Sequence, residues 1–436
     1  MRTGRVTRRR FLKTTARVGA AVAAPTIVPS SVLGRGGAVP PSEKILLGGI
    51  GIRGRGMHDL RWMIGQPDVQ FVAICDVQKR QRLAVKNHVD TRYGSRDCAM
   101  YPEIREFLAE RTDIDAVLIA TGDRWHALAS ILAMRAGKDV YTEKPSAMTI
   151  AEGRAVVDTA RRYERVYQTG TQRLSEPNHV FAIEMARSGR LGEVHTAYAH
   201  IAPWDAAKMR HDWLPAQPQP PKEEVDWDTW LGPCPWRPYN LSYVRGGWRG
   251  HYDFHTSCIG EWGAHTFAQA QAGLDCLDTA PVEYEYVDNN SGDGMVTQFA
   301  NGVKMILSRG KKYWRGSCGE RFDGSEGWAA AADGYSRPDV SSPAMLGLFK
   351  EVVGEYVART GRSLNHARNF LDCVRTREPA VANPTVMHRS MTAVHGANIC
   401  MWLGRSLKYD PVKEEFVNDP EANRMRSRAM REPWII

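Results

Sequence analysis

From Lys44 onward, short apolar runs alternate with longer stretches of helical periodicity. Lys44–Ile50 is apolar and runs into a glycine-rich turn, and Arg55–Ile64 then reads as a helix. Val69–Cys75 is a second apolar run, ended by Asp76. Glu103–Arg111 is helical, Asp115–Ala120 is an apolar strand, and Thr121–His126 is the loop at its end, with the next helix over His126–Ala136. A β-rich run, Asp139–Thr142, delivers Glu143, Lys144 and Pro145 to its C-terminal end. Thr149–Tyr163 reads as a helix and Arg165–Gln168 as a short strand. This alternation predicts right-handed βαβ units and a doubly wound parallel sheet.

After residue 170 the period changes. Val194–Ile201 alternates apolar with polar, and Gly294–Phe299 and Val303–Ser308 flank Asn301-Gly302, a hairpin turn signal. The glycine-rich, aromatic stretch 310–340 reads as loop. The predicted fold class is therefore α/β plus α+β. A Rossmann domain over 39–170 precedes a domain with a large, mostly antiparallel sheet over 171–385, and 386–436 forms a C-terminal helix and tail packing back on the protein.

The N-terminus changes the reading of charge. Thr7-Arg-Arg-Arg-Phe-Leu-Lys13, the apolar run Val18–Val28 and the small residues after it predict a twin-arginine export signal over 1–38. Those 38 residues hold eight basic and no acidic side chains, so without them the formal charge falls from +9 to +1. The basic balance belongs to the signal and is no argument for nucleic acid. No cysteine follows the apolar run and no run is long enough for a membrane span, so no stable membrane anchor is expected. The eight cysteines show no C-x-x-C and no zinc spacing. A protein exported after folding in a reducing compartment is expected to keep them as buried thiols, and no metal site is expected.

The chemistry gathers at strand ends, where ligands bind in an open parallel sheet. In Gly49-Ile-Gly-Ile-Arg-Gly54, Gly49 is read as permitting the tight turn, Gly51 as admitting a pyrophosphate, and Gly54 as letting helix pack on strand. Asp76 stands where a carboxylate accepts from ribose hydroxyls and repels a 2′-phosphate, favouring NAD over NADP. Pro145 restricts Lys144 to extended geometry, holding its ammonium at the strand end.

The glycine loop, Asp76, Asp123-x-x-His126, Glu143-Lys144-Pro145, Gly170-Thr-Gln-Arg173, Trp227-Asp-Thr-Trp-Leu-Gly232 and Glu261-Trp-Gly-Ala-His265 together resemble the Gfo/Idh/MocA (glucose–fructose oxidoreductase/inositol dehydrogenase) family. The resemblance runs through nearly all of the chain after residue 38. It implies an NAD-dependent oxidoreductase acting on a sugar, glycoside or cyclitol, assembled as a homo-oligomer through the large sheet. It places Gly49, Gly51, Ile52, Arg53, Gly54, Asp76, Thr121, Trp125, His126, Glu143, Lys144 and Gln172 at the cofactor. Arg173, Trp204, Arg249, Tyr252, Glu261 and His265 fall on the substrate side. Lys144, His265 and Glu261 are the catalytic candidates, with His265 as proton acceptor and Lys144 polarising the hydroxyl. The chain departs from close relatives at Thr256-Ser-Cys258, where they often carry three glycines, and at Glu261 and Ala268, where they carry aspartates. These positions leave the substrate open.

Three activities follow. The first is a sugar dehydrogenase, with NAD tightly held and recycled because free cofactor is scarce outside the cytoplasm. The second is a glycoside-cleaving enzyme working by transient oxidation and elimination. The third is a sugar-binding protein that keeps the fold without catalysis.

Overall fold

The computed structural model describes residues 39–201, 209–289, 292–309, 318–334 and 337–436. Two compact units divide at residue 44. The first contributes a single described turn, Pro41–Glu43. Everything below belongs to the second, and the predicted export signal and Trp204 lie outside the described residues.

Six parallel strands form the first sheet, in the order β3-β2-β1-β4-β5-β6. They are β1 Ile45–Ile50, β2 Val69–Cys75, β3 Ala99–Tyr101, β4 Ala116–Ile119, β5 Asp139–Thr142 and β6 Tyr167–Thr169. The helices between them are α1 Arg55–Ile64, α2 Lys79–Tyr93, α3 Ile104–Glu110, α4 Asp123–Arg135 and α5 Ile150–Arg162. β4 and β5 are buried along their whole length, as strands covered on both faces are; β4 is an unbroken apolar run, and in β5 the polar Asp139 and Thr142 are buried as well. The switch in strand order falls at β1 and β4, so their C-terminal ends open one crevice.

α4 begins three residues earlier than the sequence pattern indicated. Asp123, Arg124, Trp125 and His126 are its first turn, all buried. Their polarity read as loop, but tertiary partners satisfy it. Trp125 Nε1 donates to the Thr229 carbonyl (3.1 Å), and the His126 ring lies 2.7 Å from the Pro145 carbonyl and 3.2 Å from that of Thr121.

Among the described residues the second sheet has nine strands in the order β13-β12-β11-β7-β10-β9-β8-β14-β15, antiparallel except for β7 beside β10. β7 is Val194–Ile201, β8 Glu283–Glu285, β9 Val296–Gln298 and β10 Lys304–Arg309. The predicted Asn301-Gly302 hairpin joins β9 to β10, with Gly302 at φ +86°. The stretch read as loop contains β11 Gly319–Gly324, β12 Gly327–Ala332 and β13 Asp339–Val340. Its glycines and alanines carry no strand propensity, and pairing of β11 with β7 and β12 supplies the order instead.

The helices of this half are α6 Pro177–Arg187, α7 Trp227–Leu231, α8 Ser257–Gly273, α9 Pro343–Gly347, α10 Phe349–Thr360, α11 His366–Thr376, α12 Pro384–Leu403 and α13 Pro420–Arg424. α6, α8 and α12 share one core with the sheet.

Two features cut across the predicted domain limits. α11 lies within the stretch assigned to the second domain, yet Ala367, Phe370 and Leu371 bury their side chains with Leu47, Phe71 and Tyr141 of the first sheet. The chain beyond 386 is no separate tail either, because β14 Leu407–Asp410 and β15 Glu415–Phe416 extend the second sheet. The final residues return to the first domain, where Trp434 packs edge-on against Trp125 at 4.9 Å. All eight cysteines are buried thiols.

Candidate active site

A cavity of about 530 Å³ opens over the C-terminal ends of β1, β2, β4 and β5. One end is built by the glycine loop. Gly51 has φ +68°, and a Cβ there would stand 2.3 Å from Thr121 Cγ2. Gly54 has φ +51° and faces open space, so bare backbone lines the cavity where α1 begins. The helix–strand contact assigned to Gly54 belongs to Gly56, whose Cβ would meet Ala120 Cβ at 2.4 Å. Gly49 and Ile52 do not line the cavity. Both pack beneath the loop on Phe71, and Ile52 is buried there.

Asp76 ends β2 on the cavity wall, where its Oδ1 accepts the Gln78 N–H at 2.8 Å. Burial pushes its carboxyl up to about 7, against that hydrogen bond and the charges of Arg82 and Arg53. A bare glycine loop at a helix N-terminus, an acid one strand away and a long cleft fit a dinucleotide, with Asp76 at the ribose. Asp76→Ala should weaken NAD binding about 10–100-fold, the scale of a lost hydrogen bond to a charged group, and NADP much less. Titrating the variant with both cofactors reads this directly, and an unchanged NAD-to-NADP ratio would remove Asp76 from the ribose.

The sequence pattern did not reveal what covers this cleft. Residues 209–256 form a strap with its own core of Trp227, Trp230, Leu231, Tyr243 and Phe254. At one end Gln78 bridges to Val225, the Lys79 N–H donates to the Glu224 carbonyl (3.0 Å), and the Asp226 N–H donates to Val77 (3.1 Å). Above the glycine loop, Arg53 donates to the Val244 carbonyl at 2.8 Å. At the third tie, Arg124 donates twice to the Trp230 carbonyl (2.9 and 2.8 Å) with its guanidinium 3.6 Å from the Trp230 ring. Asp123 Oδ2 closes the strap by accepting from the N–H (3.1 Å) and hydroxyl (3.0 Å) of Thr256.

The other end of the cavity collects the catalytic candidates. Lys144 follows β5 through a cis peptide to Pro145, and its Nζ donates to the Glu261 carbonyl at 2.9 Å. Glu261 lies in the first turns of α8, and His265 follows it one turn later on the same face. The Glu261 carboxylate is 3.0 Å from His255 Nε2 and 3.4 Å from Arg249 Nε. Because the Gly250 N–H donates to His255 Nδ1, the neutral ring carries its proton on Nε2 and donates it to Glu261. Burial raises the Glu261 carboxyl, but the His255 hydrogen bond and the Lys144 and Arg249 charges prevail and hold it at about 2.

His265 is buried, and its Nδ1 has no hydrogen-bond partner among the described residues. Burial first, then the charges of Arg173 and Lys144, hold its imidazole well below the ordinary histidine range. It is therefore a neutral ring at working pH, able to accept a proton but not to hold it long.

Glu143, Gln172, Thr121, Trp125, His126, Arg173 and Arg249 also line the cavity. Arg173 is held by a two-pronged pair with Asp333. Tyr252 does not line it, and packs against Trp402 (5.4 Å) and His211 (5.0 Å) instead. Trp248 and Glu176 line the cavity and went unremarked in the sequence, where neither spacing nor composition separates them from core or surface residues, and Trp262, quoted there only within the Glu261–His265 motif, lines it too. Ser257, where relatives often carry glycine, has φ +72°, a conformation that costs a non-glycine residue about 1–2 kcal/mol. Its hydroxyl lies 2.7 Å from Asn398 Oδ1, an interaction that glycine lacks.

The cleft thus fits a dinucleotide, and its far end joins a lysine, a neutral histidine and an ionised glutamate. The chain belongs to the Gfo/Idh/MocA oxidoreductase family: residues 44–171 match its NAD-binding Rossmann fold, and residues 195–436 match its C-terminal alpha/beta domain. A glycosyl hydrolase family 109 protein of Shewanella sp. (strain W3-18-1) is 28% identical over 225 residues, covering 47% of this chain and 48% of that protein. The chain thus spans about half the length of the curated relatives it matches. The crystal structure of myo-inositol 2-dehydrogenase from Lactobacillus plantarum shares the fold, with a TM-score of 0.57 and 14% identity over 84% of this chain and 100% of that one. Aldose-aldose oxidoreductase from Caulobacter crescentus shares it at a TM-score of 0.56, with 15% identity over 84% of this chain and 99% of that one.

Proposed function

We propose that this protein oxidises a hydroxyl of a sugar, glycoside or cyclitol and keeps its NAD through the catalytic cycle. The observation that carries this is the strap, tied down at four points along a cleft whose inner end holds Lys144, Glu261 and His265. A cofactor threaded beneath it leaves only after several hydrogen bonds break. Bound NAD would supply a hydride acceptor, with the hydride returned within the same cycle or passed to a second substrate. Lys144 donates to the reacting oxygen and stabilises negative charge as it develops there, held by the Glu261 carbonyl. His265, neutral and lining the cavity, takes the hydroxyl proton. Trp248 and Trp262 supply faces on which a sugar ring stacks.

Cleavage of a glycoside is the second reading, favoured by the resemblance to a glycosyl hydrolase family 109 protein. Oxidising one carbon acidifies the neighbouring C–H; elimination of the aglycone follows, water adds across the resulting double bond, and the hydride is then returned to the carbonyl. Export by the twin-arginine route and assembly through the outer face of the nine-stranded sheet are part of the same proposal. They rest on the N-terminal motif and on the family resemblance.

The test uses purified protein, a panel of free sugars and glycosides, and deuterated water, with and without added NAD. Retained cofactor predicts nicotinamide dinucleotide released on denaturation and turnover that does not depend on added NAD. Recycling predicts deuterium at the carbon beside the oxidised one and no accumulation of reduced cofactor. Stoichiometric reduced cofactor without deuterium would make it a simple dehydrogenase. Absence of any bound or binding nicotinamide would remove both catalytic readings.

A further inference from the structure

At the inner wall of the cavity two buried acids share one cation. Asp59, on α1, is fully buried, and Glu143, at the end of β5, is nearly so and lines the cavity. Arg55 Nε lies 3.1 Å from Asp59 Oδ1 and 3.8 Å from Glu143 Oε1. One guanidinium faces both carboxyls, and two buried acids around a single cation favour a proton on one of them. Glu143 accepts from Gln172 Nε2 (2.7 Å) and from the Lys144 N–H (3.3 Å). Neither Asp59 oxygen receives a hydrogen bond from an amide or hydroxyl among the described residues. The donors thus assign the negative charge to Glu143 and the proton to Asp59. Burial, then the Glu143 charge, pushes the Asp59 carboxyl up to about 9, against Arg55.

The remaining titratable neighbours do not compete for this proton. On β5, burial holds the Tyr141 hydroxyl well above its ordinary range. On α11, His366 is pushed down to about 4 by burial, with its ring nitrogens 2.8 Å from Ser175 Oγ and the Thr169 carbonyl. His265 is likewise held neutral.

We infer that Asp59 and Glu143 form a proton store whose occupancy follows the charge of the nicotinamide ring in the adjoining cavity. The inference rests on NAD binding and not on the identity of the substrate. An oxidised ring is a cation, and a cation beside Glu143 substitutes for the shared proton. A reduced ring is neutral, and the pair then binds the proton again. The balance closes. Oxidation of a CH–OH group releases one hydride, with two electrons, to the ring and one proton from the hydroxyl, and the pair binds one proton as the ring loses its charge. When the hydride returns, the proton is released within the covered site. Asp59 acts through Glu143 and does not meet the substrate, so it is a positioning residue for the proton.

Binding linkage tests this without turnover. The protein is equilibrated with an equimolar mixture of NAD and NADH across a pH series, passed rapidly over a desalting column and denatured, and the released nicotinamides are counted. Uptake of one proton on reduction predicts that the bound NADH-to-NAD ratio rises about tenfold for each pH unit of decrease below about pH 9. In Asp59→Asn the ratio should become flat, because the amide keeps the shape and cannot release its proton. Glu143→Gln, which removes the partner acid, serves as the second variant. A flat ratio in the parent protein, or an unchanged slope in either variant, overturns the inference while leaving NAD binding intact. Absence of nicotinamide at every pH would instead count against the functional reading.

Discussion

Lys144→Met should lower the rate of sugar-hydroxyl oxidation by about 10²–10⁴-fold, the contribution of a positioned acid or base. Bound NAD should stay at the parent level. Methionine keeps the length of the side chain and removes its charge and all three donors. The ammonium is well placed for this role. β5 is paired on both sides by β4 and β6, Nζ is fixed on the Glu261 carbonyl at 2.9 Å, and the Trp262 ring lies 5.4 Å away. Single-turnover reduction of the bound cofactor, with its content measured after denaturation, separates chemistry from binding. A rate within a few-fold of the parent would make Lys144 a wall residue only.

Gly51→Val should empty the protein of NAD and destabilise it as well. A left-handed conformation costs a residue with a Cβ about 1–2 kcal/mol, and more when it is β-branched. At φ +68° the new Cβ would also stand 2.3 Å from Thr121 Cγ2 and 3.0 Å from Thr121 Cα. The latter is backbone at the end of β4 and cannot swing aside. Each 1.4 kcal/mol lost from binding is a tenfold loss of affinity, so retained nicotinamide should fall at least about tenfold. Gly54→Ala is the informative companion. Its φ of +51° is also strained, but open space surrounds it, so that variant narrows the phosphate cradle without disturbing Thr121. A Gly51→Val protein with parental NAD content and melting temperature would show that the loop does not hold the cofactor.

Much of the site was legible because it rests on local rules. An apolar run, a glycine turn and an acid after the next strand form one βαβ unit, and its backbone makes the cradle whatever happens elsewhere. Glu261 and His265 share a face because helix geometry makes residues four apart neighbours. The assignment of roles within the loop was less secure. Spacing indicated three glycines, but only contacts show that Gly56 makes the helix–strand approach while Gly54 faces open space. Tyr252 illustrates the opposite error, since an aromatic beside charges is equally consistent with a sugar platform and with packing on Trp402.

Local pattern along the chain sufficed for a parallel-sheet domain that binds a dinucleotide at its strand ends, and it singled out a lysine and a histidine as candidates for proton chemistry. These are properties of periodicity, turn residues and motif spacing within short segments. Long-range partners were needed to show that residues 209–256 cover the cleft, that α11 packs on the first sheet, that 319–332 pair as strands, and that Asp59 and Glu143 meet around Arg55. Each depends on partners far apart in the chain: Arg53 with Val244, Ala367 with Phe71, β11 with β7, α1 with β5. The free energy of such contacts comes from burial and from hydrogen bonds shielded from water, and neither exists until the whole chain has folded.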